Sequence, residues 1–155
     1  MKRVLTAAAA AFAFTFATPA QAATIGHLLD EVKLTGTSIA VDIPRVCGDK
    51  GVLGKYEFKT GLVDQLTICI DNHKGDETEL VDTVLHEAVH IVQACKGGPV
   101  YTRDSLLDYA NAKEVHFVAT QYNADEFHDE IEARVIAAEL NPQIVIDLLR
   151  KHCYE

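Results

Sequence analysis

The segment His86-Glu87-Ala88-Val89-His90 brings together the three side chains that metal-assisted hydrolysis needs. On a helix, residues four apart lie about one turn apart on the same face, so both imidazoles can reach one zinc ion at about 2 Å. Glu87 is rotated by about 100° from His86, away from the ion and toward a water bound to it. A carboxylate placed there accepts the proton of a water already acidified by zinc, which is the general-base step of peptide hydrolysis. The competing structural reading is a solvated helix face that carries two His and a Glu without binding metal.

Two histidines leave zinc short of a third protein ligand, and several downstream acids can supply it. In Glu130-Ile131-Glu132-Ala133 the two carboxylates point about 200° apart on a helix, so only one can face the metal. Glu130 shares its side with Ala133 and Ala137, small residues that let two helices approach closely, and it is the first choice. Glu132 lies nearer His128 and Glu139 at helical spacing, which reads as a solvated polar face, and it is the second choice. Asp104 and Asp108 offer another route.

Taken together, these segments resemble the zincin metallopeptidases. Their extended pattern asks for Thr or Val three residues before the first His and for apolar residues after the second; Thr83, Val84, Ala88, Val89, Ile91 and Val92 fit it. A metzincin would need Gly and His where this chain has Gln93 and Lys96, which excludes that subgroup. The aspzincin arrangement would use Asp104 or Asp108. The Glu-x-Glu-Ala segment is similar to that on the second metal helix of several gluzincin families, in which the first Glu binds zinc. The resemblance implies a gluzincin-like zinc hydrolase acting on a peptide or protein substrate. Its cofactor would be Zn2+ on His86, His90 and Glu130, with Glu87 as the base.

The chain departs from that pattern four residues after Glu130, where many gluzincins place an Asp that orients a zinc-binding His and this sequence has Arg134. The orienting acceptor must then come from Asp129, Asp125 or a backbone carbonyl, and Gln93 shares the face of His86 and His90. Donors chemically able to stabilise an oxyanion are Tyr101, Tyr109, Tyr122, His116 and His128. In zincins the strand before the motif helix often runs along the cleft, which implies that Leu66 to Asp71 pairs with an extended peptide. Arg134 and the lack of room for a second lobe support a competing expectation, a catalytically weak or silent zinc-binding interaction domain.

The elements that must position these groups follow from periodicity and turn chemistry. Ile25 to Leu34 has helical spacing and stops at Gly36. Ser38 to Ile43, Lys55 to Lys59 and Leu66 to Asp71 are strand candidates separated by Gly-rich turns, which predicts a small, mostly antiparallel sheet. Asp76 or Thr78 can cap a helix that runs through the motif to about Cys95 and ends at Lys96-Gly97-Gly98-Pro99. Further helices are expected at 103–119, 123–140 and 142–152, the last opened by Pro142. Strands followed by helices imply an α+β domain, a minimal zincin-like one on the resemblance above.

The N-terminus reads as a signal peptide over residues 1–22. Lys2 and Arg3 precede an apolar run too short to span a bilayer, and Ala20-Gln21-Ala22 supplies small residues before the cut. The 133 residues from 23 to 155 suit one domain. Losing the leader takes the net charge from −9 to −11, which makes nucleic acid a poor partner, and no later segment is apolar enough to be held in a membrane. Cys47, Cys69, Cys95 and Cys153 read as two disulfides in an exported protein, periplasmic or extracellular, and element positions favour pairing 47 with 69 and 95 with 153.

Overall fold

β-branched residues and tight turns concentrate between Ser38 and Ile70, and there the sheet forms in the computed structural model, which describes residues 19–139 and 141–154. Its strands are β1 (Ser38–Val41), β2 (Gly54–Lys59) and β3 (Val63–Ile68), in the order β1-β3-β2. β2 and β3 pair antiparallel through a hairpin in which Gly61 takes a left-handed φ of 72°. β1 joins the other edge of β3 in parallel, so the sheet is mixed. Parallel pairing needs a crossover, here a connection through the short α2 (Pro44–Cys47) and β2, and no local signal announces it. The expected strand at Leu66 to Asp71 starts earlier and stops at Ile68, because Ile70–His73 folds into a 3-10 turn.

Helices make up the rest: α1 (Pro19–Leu34), α3 (Glu77–Lys96), α4 (Arg103–Leu107), α5 (Ala112–Gln121), α6 (Phe127–Ala138) and α7 (Pro142–Cys153). The fold class is α+β, as strands followed by helices implied. Residues 1–18 of the expected leader lie outside the described residues, and the expected cut after Ala22 falls within α1. The single helix expected over 103–119 is two. Asn111 accepts hydrogen bonds from the Lys113 and Glu114 amides while the Glu114 carboxylate accepts from the Asn111 amide, a capping box that starts α5 afresh.

α3 is the axis of the molecule. Asp76 caps its start by accepting from the Glu79 amide, and Gly97, at a left-handed φ of 81°, ends it. Leu85, Val89 and Val92 are fully buried and pack with Leu66 of the sheet, Leu28 of α1, Ala133 of α6, and Ile146 and Leu149 of α7. Leu106, Val118, Phe127 and Ile131 form a smaller cluster that seats α4 and α5 on α6. Cys47–Cys69 joins α2 to the residue after β3, and Cys95–Cys153 joins the ends of α3 and α7, the expected pairing. Disulfides of this kind persist in oxidising compartments. No helix among the described residues is long and apolar enough to cross a membrane.

Candidate metal centre

α6 lies close against α3, with Ala133 and Ala137 buried at the contact and adding little bulk. Glu130, one turn before Ala133, therefore reaches the two histidines. His86 Nε2 and His90 Nε2 are 3.2 Å apart. Glu130 Oε2 lies 3.4 Å from the first and Glu130 Oε1 3.4 Å from the second. The ligand atoms of these three side chains lie within 4.8 Å of one another, the one such group among the described residues.

Two atoms held at about 2.05 Å by a tetrahedral zinc ion stand about 3.3 Å apart, so the spacing suits one ion of that size. The donor chemistry agrees. Glu130 Oε2 is buried with no hydrogen-bond partner, and two imidazole nitrogens that face each other need a proton or a cation between them. Burial disfavours a charged His90, but the Glu130 carboxylate, with Glu87 behind it, overrides this and holds its pKa up to about 9. Burial would likewise raise the Glu130 carboxyl, yet the imidazoles hold it far below the ordinary carboxylate range. The same three donor atoms, close enough together to share one proton, could hold one metal cation.

Glu87 lies beside this group, 9% exposed, and its Oε2 accepts from the Tyr56 backbone N–H of β2 at 2.6 Å. β2 comes this close because of Gly54: a Cβ there would sit 2.6 Å from Thr83 Cγ2 and 3.1 Å from Glu87 Cγ. Gly54 and the Tyr56 amide are site residues the sequence reading missed, and Gly54 at the head of a strand was the available signal. The expectation that Leu66 to Asp71 borders the cleft is corrected. β3 is paired on both edges, so its backbone groups are already used, and β2 is the strand at the cleft.

Gln93 resolves the question raised by Arg134. Its Oε1 is 2.7 Å from His90 Nδ1 and accepts the hydrogen bond that orients the ring. Arg134 is engaged elsewhere, its guanidinium stacking 4.4 Å from the centre of the Phe117 ring and tying α5 to α6. Glu132, the second-choice ligand, is not on a solvated face. It is fully buried and turned away from the triad, because residues 99–101 fold back over α6 and present amide groups to it. Asp104 and Asp108 are exposed on and just after α4 and do not join the group.

Of the five oxyanion-donor candidates, Tyr122 is placed beside Glu130, and Tyr101 is exposed. Burial raises the pKa of Tyr122, and the neighbouring Glu130 carboxylate adds to that. Tyr109 and His116 are exposed, and the ring of His128 is taken up by the Tyr101 carbonyl. A cleft of about 490 Å³ opens from the triad between Tyr56 and the Gly97-Gly98 turn, with Asp129 on its wall.

No curated protein and no solved structure matches this chain. Residues 46–154, which carry β2, β3, both disulfides and the whole triad, match the family model described as Domain of unknown function (DUF8637). With most of its length covered by that match, the chain belongs to the DUF8637 family.

Proposed function

We propose that this protein is an exported, periplasmic or extracellular zinc metallopeptidase of gluzincin type, with His86, His90 and Glu130 as ligands and Glu87 as general base. The observation that carries the reading is the convergence of three ligand atoms from α3 and α6, with Glu87 one residue along the same helix. Zinc bound there supplies a Lewis acid that acidifies a water and polarises a peptide carbonyl. Glu87 takes the proton: the Tyr56 amide holds one carboxylate oxygen and leaves the other to accept it. Tyr56 of β2 lines the cleft, and β2 is an edge strand, whose backbone beyond the Tyr56 amide suits an extended peptide or protein segment. Two disulfides support export, together with the leader-like N-terminus.

The Tyr56–Glu87 contact also favours a second reading, a zinc-binding interaction domain in which that carboxylate is structural. Zinc content and cleavage of an unstructured protein, measured on the wild type and on Glu87→Gln, separate the two. The peptidase binds about one zinc per chain, cleaves, and on substitution keeps its zinc while hydrolysis falls by about 10² to 10⁴-fold. A wild type that binds zinc and cleaves nothing is the interaction domain. A chain that takes up no zinc on dialysis overturns both readings.

A further inference from the structure

We propose that the Asp129 carboxylate is a binding group for a cationic nitrogen of the substrate, an ammonium or guanidinium carried next to the bond that is cut. That the cation belongs to a peptide rests on the proposed peptidase reading, while the ligand chemistry of the cleft stands without it.

The cleft beside the triad, about 490 Å³, has the size of a small-ligand pocket rather than of a protein interface. Apart from His90 and Glu130, the one charged side chain lining it is Asp129. Gly97 and Gly98 put no side chain into it, and a Cβ at either would meet nothing within 4 Å. A long side chain therefore has space next to Asp129.

The carboxylate itself lacks a partner. Asp129 Oδ1 is buried with no hydrogen bond, and the donors around it are committed elsewhere. Gln93 Nε2 donates to the Asp129 backbone carbonyl and to Glu132. His128 is turned to the Tyr101 carbonyl, Lys96 Nζ to the Pro99 carbonyl, and His90 to Gln93 and Glu130. An acid in the first turn of α6 is favoured by the helix dipole, which accounts for an Asp on this turn but not for an oxygen withdrawn from water with nothing to bond. That withdrawal costs free energy, and a charged N–H donor entering the cleft offsets it with a charge-assisted hydrogen bond.

The chain as a whole repeats the sign. Its net charge of −9 draws cationic peptides toward it and holds acidic ones off. Two groups of a peptide carry the required nitrogen, the side chain of a lysine or arginine and the α-ammonium at the chain start.

The test uses three short alanine peptides with one central lysine, titrated into the zinc-loaded Glu87→Gln chain and into the metal-free wild type. Binding is followed by the amide shifts of Gly97, Gly98 and Asp129. The first peptide has both ends blocked and a free lysine side chain; the second is the same with the lysine acetylated; the third has the acetylated lysine and a free α-amine. The first or the third should bind about tenfold more tightly than the second, and the one that does so names the source of the cation. Asp129→Asn should bring that ratio to about one while zinc content and the affinity for the second peptide stay unchanged, and Asp129→Glu, which keeps the charge, should keep the preference.

Equal affinities for all three peptides overturn the inference without any variant. So does a preference that survives Asp129→Asn, which assigns the cation to Glu130 or Glu87, and so does one lost as fully in Asp129→Glu as in Asp129→Asn, which means that shape rather than charge is read. Cleavage rates on the zinc-loaded wild type separate this from the peptidase reading. Cleavage and binding that both ignore the charge leave the peptidase standing without this site. Charge-selective binding with no cleavage leaves Asp129 standing and removes the peptidase.

Discussion

The core around α3 and the small cluster beneath α4 and α5 share one helix, α6, and are built on very different scales. The first gathers twenty buried residues from both sides of the disulfide-linked α3–α7 pair; the second has four, supported by Arg103 over Phe127 and Arg134 over Phe117. His86 and His90 stand on the helix the large core immobilises. Tyr122, beside Glu130, rests on the small one, with Phe117 and Tyr109 left facing solvent. Opening free energy follows buried apolar contact, so His86 and His90 should hold still while α4 and α5 open locally. On the proposed reading, a hydrolase that must admit a chain segment gains from that division.

Three measurements can break or sharpen this contrast. Leu85→Ala empties a fully buried position next to His86 and should cost about 2–5 kcal/mol, lowering the thermal midpoint and zinc retention together. Leu106→Ala in the small cluster should cost about 2 kcal/mol, at the low end of that range because a peripheral site collapses more easily. Its effect should be confined to faster amide exchange in α4 and α5, with zinc retained; loss of zinc there would mean the two regions behave as one. The third measurement probes the centre they share. His90 holds its proton up to about pH 9, so below that pH zinc must displace one proton, and its affinity should rise about tenfold per pH unit between 7 and 9 and level off above. Calorimetry across that range reads the slope, and a flat line would mean that zinc displaces no proton from the triad there.

The same contrast explains which features the sequence made legible. His86, Glu87 and His90 are a local pattern on one helix, with Asp76 and Gly97 as its caps, and nothing distant can alter their relative placement. Glu130 could be chosen because Ala133 and Ala137 mark the close face of α6 from within the same helix. Glu132 was misread because its burial is created by Val100 and Tyr101 returning over α6, a contact between segments far apart in the chain. The parallel pairing of β1 fails to show for the same reason. The break between α4 and α5 is different: Asn111 and Glu114 have capping-box spacing, a signal present in the sequence and outweighed by the apolar periodicity on either side.

The Cys95–Cys153 bond spans 58 residues, and Glu130 lies inside the loop it closes while His86 and His90 lie just outside. A backbone cut at the exposed Tyr109, or anywhere else within that loop, therefore opens a ring without separating fragments. Both halves of the His86–His90–Glu130 group stay on one covalent object. On the proposed peptidase reading, where copies of itself are among the threats, a nicked molecule remains a whole one until its disulfide is reduced.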